Sequence, residues 1–380
     1  MTSKLTEEQL MIQDTARKFA RKVLAATAME RDRTKEFPAE NLKKMGELGY
    51  MGMMIPTEYN GVGIDTVGYV LALSEMAYSC ASTAVVMAVH NCPVCESIYR
   101  FGTEEQKQKY LKPLAAGKYI GAFALTEPHA GSDPANISTT AVREGDYYVI
   151  NGNKRFITTG KNSGLVIVMA KTDITKTHKG ISAFIVEKET PGLIVGKVED
   201  KIGLRASDTT DLVFEDCRVP AENMLGAEGN GFKIAMLVLD AGRIGIAAQS
   251  LGVAQAALDA AVTYAHNREQ FGQPISNFQG IRWEIAEMAT EVEAARQLTL
   301  FAAAMKDRGE KYTAQASMAK LYASETANRV AGKALQIHGG YGCVKEYEVE
   351  RLYRDARVFT IYEGTSEIQR VVIASQILGI

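Results

Sequence analysis

Gly121-Ala-Phe-Ala-Leu-Thr-Glu-Pro128 is where the chain changes character. Upstream of it the capping and periodicity signals are helical. Downstream, β-branched and aromatic runs punctuated by Gly, Asn and Pro continue for about a hundred residues. These runs are TTAVREGDYYVINGNKRFITTG, GLVIVMAKTD, GISAFIVEKE and DLVFEDCRVP, with hairpin turns expected at REGD and NGNK. No helix in this stretch is long enough for a parallel crossover, so it reads as a small barrel or sandwich.

Toward the N-terminus, Thr6 with Gln9 and Thr103 with Gln106 have capping-box spacing, and Leu5 with Leu10 the spacing of a hydrophobic staple. Residues 37–50 read as a helix stopped by Gly49. A loop with Gly61 and Gly63 follows, and Asp65 then caps a helix through Met76. The almost uncharged run from Ser82 to Tyr99 predicts a buried helix. Toward the C-terminus, Ala and Leu recur at helical spacing over Arg243 to Asn267, Phe278 to Asp307 and Thr313 to Ile337. With a helix after Ser366 these suit an antiparallel four-helix bundle, and its small-residue face suits a second subunit. The expected fold is α+β and multidomain: an all-α N-terminal domain (1–120), a middle β domain (121–230) and a C-terminal helical bundle (231–380).

Composition excludes several classes. A net charge of -2 over 380 residues gives no electrostatic reason to expect nucleic acid as a partner. No apolar run approaches the roughly twenty residues of a membrane span. The MTSKLTEEQL start resembles neither a secretory signal nor a transit peptide, so a bacterial cytoplasmic chain or a mature mitochondrial matrix chain is expected. Five cysteines show no disulfide framework, and Cys92-Pro-Val-Cys95 lacks the second ligand pair of a zinc site. The five histidines are scattered, and no metal is expected. The phosphate-binding glycine fingerprints and the nucleophile elbow are absent, which argues against Rossmann, P-loop and α/β-hydrolase enzymes.

The remaining motifs leave choices open. Leu125-Thr-Glu-Pro-His-Ala-Gly-Ser-Asp133 is a surface loop or a cradle of hydroxyls and main-chain donors. Phe156-Ile-Thr158 puts an aromatic and a hydroxyl on one face of a strand. Arg268, before Phe271-Gly272, either caps helix carbonyls or reaches a phosphate. The glycines of Gln336-Ile-His-Gly339-Gly340-Tyr-Gly342 exceed what a helix end needs. Asp240-Ala-Gly-Arg243 reads as the opening of a long helix, where an arginine opposes the dipole. Glu363-Gly364 lies on a turn before a helix that Ser366 and Gln369, at capping-box spacing, would start. Glu363 is then either a solvated surface residue or faces a ligand admitted by Gly364.

Taken together, TEPHAGSD, RFIT, DAGRIGIAAQ, REQFGQPI, QIHGGYG, YRDAR and IYEGTSEIQR resemble, in order and spacing, the acyl-CoA dehydrogenase flavoproteins, and the short-chain (butyryl-CoA) members most. The resemblance spans essentially the whole chain. It implies that Glu363 is the catalytic base taking the α-proton of an acyl thioester while the β-hydrogen leaves as hydride to flavin N5. Burial would have to raise a carboxyl that is ordinarily near pKa 4.3. It further implies FAD contacts at Phe123, Leu125, Thr126, Ser132, Phe156, Ile157, Thr158, Thr365 and Glu367. Arg268, Phe271, Gln279, Gln336, Gly339 and Gly340 match residues reaching the FAD of a neighbouring subunit. Ser132, Asp240, Arg243 and Gly364 match the acyl-CoA site, and the Glu363 N–H an oxyanion donor. Gly242 stands at the position from which other family members supply their base, so none competes with Glu363. Thr159 replaces an Asn common in relatives. Expected partners are the acyl-CoA substrate, electron-transfer flavoprotein and three further copies in a homotetramer. Branched, cyclic or unsaturated acyl-CoA substrates, operation as an enoyl-CoA reductase, and a DNA-binding flavoprotein are the alternatives, the last disfavoured by charge.

Overall fold

The computed structural model describes residues 5–379, so Met1–Lys4, which begin the stretch read for a leader, lie outside the described residues. The order is helix, sheet, helix. In the first part α1 (Glu7–Phe19) starts at the Thr6/Gln9 capping box and runs through a π turn into α2 (Ala25–Thr34). After α3 (Ala39–Glu47), Asp65 caps α4 (Thr66–Ser79), which is buried along nearly its whole length. The run expected as one helix over 82–99 is broken instead. It divides into α5 (Ala81–Val89) and α6 (Glu96–Phe101), because Pro93 lacks an N–H and pushes Cys92 to an extended φ of -148°. Two short helices follow, α7 (Glu104–Gln106), opened by the Thr103 capping box, and α8 (Lys112–Ala115).

The middle part is one eight-stranded sheet. Its strands are β1 (Gly121–Ala124), β2 (Thr140–Glu144), β3 (Tyr147–Thr158), β4 (Leu165–Lys171), β5 (Ile181–Glu187), β6 (Leu193–Val198), β7 (Thr209–Pro220) and β8 (Met224–Leu225). The order is β6-β7-β3-β2-β4-β5-β8, with β1 also paired to β4. That last pairing is parallel, Gly121 opposite Leu165, contrary to the expectation of antiparallel pairs alone. The β2–β3 hairpin makes the crossover in place of a helix. REGD is the β2–β3 turn, but NGNK lies inside β3. Gly152 there takes φ 151° at a register shift, and a Cβ would stand 2.4 Å from Thr139 Oγ1. The glycine serves a close approach and not a turn.

The last part is α9 (Gly231–Asn267), the two-strand ribbon β9 (Glu269–Gln270) and β10 (Gln273–Pro274), then α10 (Gln279–Asp307), α11 (Thr313–His338), α12 (Val349–Phe359) and α13 (Ser366–Leu378). Helix α9 begins twelve residues before Arg243, so Asp240 and Arg243 lie in its interior and not at its start. It is apolar on every side because it is packed on every side, by α4, α10, α11 and α12. Among the described residues it is the one helix long and apolar enough to cross a membrane, and 78% of its most apolar window is buried in the protein. Helix α11 packs on α9, α10 and α13, which completes the expected bundle.

Candidate active site

Glu363 sits between the end of α12 and the start of α13 with φ 56°, followed by Gly364 at φ 89°. Two consecutive left-handed residues are costly for a glutamate and must be held by their surroundings. They are held by side chains: Gln369 Nε2 donates to the carbonyls of Glu363 (3.2 Å) and Gly364 (3.0 Å), and Lys320 Nζ donates to Gly364 O at 2.7 Å. The helix that follows is capped by Thr365, whose hydroxyl accepts from Ile368 N. Ser366, expected as the cap, instead donates to Glu325 at 2.7 Å. Among the described residues no acceptor faces the Glu363 N–H.

The Glu363 side chain lies over α9 at Gly242, where a Cβ would fall 2.0 Å from Glu363 Oε1. Burial pushes its carboxyl up to about 7, against the opposing pull of the Lys320 and Arg243 cations. Lys320 is itself fully buried on α11. Burial draws its ammonium down to about 7, with Glu363 pulling it back. Arg243, one residue beyond Gly242, pairs with Asp240 Oδ1 and donates to Ser317 Oγ at 3.3 Å, leaving its buried Nε without a partner. Asp240 Oδ2 accepts from Thr313 at 2.6 Å. Tyr362 donates to Gln249 farther along α9. Lys320 and Gln249 were missed in the sequence. Lys320 had a signal: it falls in phase with Ala316, Ala319 and Ala323 on the buried face of α11, where an exposed lysine would not be.

The β-domain residues gather around the end of β1. Arg155 N donates to Thr126 O at 2.8 Å, which ties the loop after β1 to the stretch holding Phe156, Ile157 and Thr158. Ile157 is buried, Phe156 has φ 58° and is 57% exposed, and Thr158 is half-buried, so the aromatic and hydroxyl share an outward face. Phe123 is half-buried on β1, Leu125 buried just after it, and Ser132 exposed in the loop beyond. Thr159 takes φ 60°, a conformation asparagine tolerates better than a β-branched residue, and donates to Gly121 O at 3.0 Å. The loop is anchored from within by Glu127 and Lys154, both side chains fully buried and 2.8 Å apart. Burial alone would raise the Glu127 carboxyl, but Lys154 and the Ser138 and Thr139 donors hold it at about 2. Glu127→Ala leaves Lys154 charged and unpaired, and is expected to cost about 3–5 kcal/mol. Chemical denaturation measures this; a midpoint equal to wild type would refute the anchoring role.

A second group lies apart from Glu363. Arg268, Gln270, Ile337, His338, Gly339, Gly340 and Tyr341 line a cavity of about 650 Å³ at the far end of α9 and α11. The Arg268 guanidinium lies 5.4 Å from the Tyr341 ring centre. Phe271, on the β9–β10 turn at φ 53°, is 93% exposed, and Gln279 and Gln336 are exposed as well. Arg268 is 25 residues beyond Arg243, about 37 Å along a helix rising 1.5 Å per residue. The structure therefore does not bring this group to Glu363 within one chain.

Family models describing the acyl-CoA dehydrogenase N-terminal, middle and C-terminal domains match residues 6–118, 122–217 and 229–378. The chain belongs to the acyl-CoA dehydrogenase family. It is similar to the acryloyl-CoA reductase (NADH) of Anaerotignum propionicum, 51% identical over 100% of this chain and 96% of that protein. Butyryl-CoA dehydrogenase from Megasphaera elsdenii superposes with a TM-score of 0.98 at 45% identity, covering 100% of each chain. A chain from a structure described as the electron transferring flavoprotein of Acidaminococcus fermentans does so at 0.98 and 49%, again over 100% of each. This acyl-CoA dehydrogenase is an oxidoreductase with FAD as cofactor. The residues present fit that group. Gly339 and Gly340 have nothing within 4 Å of where a Cβ would stand, an open cradle for a ligand on the main chain, and Arg268 faces the same cavity.

Proposed function

We propose that this chain dehydrogenates a short-chain acyl-CoA to the trans-2-enoyl-CoA, with Glu363 as the base. The observation that carries the reading is the Glu363 carboxylate, laid over Gly242 and raised to about 7 between two buried cations. A carboxyl at its ordinary value is a poor base for a carbon acid, and one near neutrality is matched to the task. The free Glu363 N–H is the donor for the thioester oxygen, stabilising the enolate-like charge as the α-proton leaves. Bound FAD supplies the acceptor for the β-hydride. Phe123, Leu125, Thr126, Ser132, Phe156, Ile157 and Thr158, with Thr365 and Glu367, hold the cofactor. Ser132, Asp240, Arg243 and Gly364 hold the thioester arm. Electron-transfer flavoprotein takes the electrons, and the 49% identity to a chain from the Acidaminococcus fermentans structure supports that partner.

The Arg268 group serves the FAD of a neighbouring subunit in a homotetramer. Its separation from Glu363 along α9, the exposure of Phe271, and the 67% exposure of Ile377 and Leu378 on α13 support this. Arg268→Ala is expected to purify with FAD content lowered about threefold or more and with weakened assembly. Flavin absorbance per chain and size-exclusion mass measure both; a fully flavinated tetramer would count against the contact. The three parts are taken as domains 1–120, 121–230 and 231–380, and the chain as cytoplasmic, in keeping with bacterial relatives.

Anaerobic titration with a ladder of acyl-CoA thioesters, following the flavin band, tests the reaction. Bleaching strongest with butyryl-CoA is the expected result. Flavin that ignores every straight chain would move the substrate to a branched or cyclic acyl-CoA, and protein unable to take up FAD would overturn the assignment. The 51% identity to an acryloyl-CoA reductase favours one second reading, reduction of a short enoyl-CoA at the same residues. Turnover of crotonyl-CoA with reduced electron-transfer flavoprotein, against butyryl-CoA with the oxidised form, distinguishes the two directions.

A further inference from the structure

Tyr69 on α4 is 2% exposed, yet its hydroxyl has no hydrogen-bond partner among the described residues. A phenol at that depth ordinarily finds one, and here the Gly245 Cβ position beside its tip is bordered also by the apolar Leu73 side chain at 3.8 Å. A Cβ on Gly245 of α9 would stand 3.4 Å from that hydroxyl, an ordinary contact. Gly245 is three residues beyond Gly242, the seat of the Glu363 carboxylate. The same face of α9 begins at Val238, whose carbonyl accepts from the Cys92 thiol at 3.2 Å. It continues to Gln249, whose amide takes Tyr362 and donates to Ala81 O at 2.8 Å. Positions 238, 242, 245 and 249 follow helical spacing, so thiol, carboxylate, phenol and amide stand in order along one wall. Near Cys92 the buried Glu96 carboxylate is clamped by Arg100 (3.3 Å) and Lys306 (3.2 Å), a charged group that no alkyl chain can replace.

We propose that Tyr69 sets the acyl-chain length, its ring ending the pocket one helical turn beyond the Glu363 carboxylate and its unpartnered hydroxyl facing the end of the chain. Three residues of α9 advance about 4.5 Å. That accommodates the carbons after the α-carbon of a butyryl group and little more. The proposal rests on the reading of this site as an acyl-CoA dehydrogenase, and its test separates the two. Wild-type flavin bleached by butyryl-CoA upholds that reading; flavin bleached by no acyl-CoA sinks it before Tyr69 is in question.

With the flavin-loaded enzyme, kcat/KM is then compared across the ladder for Tyr69→Ala and Gly245→Ala. Tyr69→Ala is expected to raise the octanoyl-CoA to butyryl-CoA ratio about tenfold or more, the scale on which apolar pockets discriminate added methylenes. Gly245→Ala narrows the same space and is expected to lower the hexanoyl-CoA to butyryl-CoA ratio about fivefold. It also replaces glycine by a better helix former, so it decides the matter if Tyr69→Ala fails to fold. An unchanged ladder in either flavin-loaded variant overturns the assignment.

Discussion

Glu363→Gln is expected to keep its flavin and its affinity for acyl-CoA while flavin reduction slows about a thousandfold or more, at the upper part of the range for loss of a general base. The substitution keeps the shape of the side chain, so the amide still fits over Gly242, where no Cβ intervenes. The turn is also preserved, because Gln369 and Lys320 hold the carbonyls of residues 363 and 364 and not the carboxylate. What is removed is the carboxylate laid over Gly242, which burial has raised into the range where it can accept a proton near neutrality. Rapid-mixing flavin reduction gives the rate, and titration with a thioester that cannot be oxidised gives the affinity. Reduction at near wild-type rate would show that the base lies elsewhere. Equal loss of affinity and rate would show that Glu363 binds and does not react.

Lys320→Met is expected to move the pH profile of flavin reduction upward. In the wild type, the rate is expected to rise as Glu363 loses its proton, through about pH 7. Burial raises that carboxyl and the Lys320 cation is the largest force opposing the rise, so methionine lets the carboxyl climb further. Below the new midpoint less base is ionised, and each unit of displacement lowers the rate about tenfold. The ammonium also supplies one of two donors to Gly364 O, and Gln369 remains to hold the turn. Lys320→Arg, which keeps a cation there, should restore a profile close to wild type. A methionine variant that loses rate equally at every pH would reduce Lys320 to a structural support.

The helix–sheet–helix order was legible because its signals are local. The boxes at Thr6 and Thr103 and the Asp65 cap each formed at the residues expected. Expectations went astray where a distant segment overrode the local pattern. Ser366 gave the cap to Thr365 because Glu325 on α11 competes for its hydroxyl. Asp240-Ala-Gly-Arg243 looks like a place to begin a helix, yet α9 runs through it, the missing side chain of Gly242 leaving room for Glu363. NGNK has the composition of a turn, but Gly152 answers to Thr139 across the strand. Glu363 was legible only as one member of a set of motifs. Its pKa is raised by burial in the folded core and held back by Lys320, 43 residues earlier in the chain, and by Arg243 across the bundle. Glu127 and Lys154 escaped notice for the same reason, since opposite charges 27 residues apart declare themselves a pair only once folded.

The unbroken course of α9 fixes more than the position of Glu363. At 1.5 Å per residue its 37 residues make a rod about 55 Å long, carrying Gly242 toward one end and Arg268 just past the other. On a rod of that length a tilt of about one degree displaces the far end by about 1 Å, enough to spoil a bidentate contact or the seating of a reacting carbon. Alignment errors at the two ends therefore cannot be corrected separately. Burial of α9 on all sides is the tolerance specification of the whole assembly, and a core substitution midway along it will be felt at both ends together.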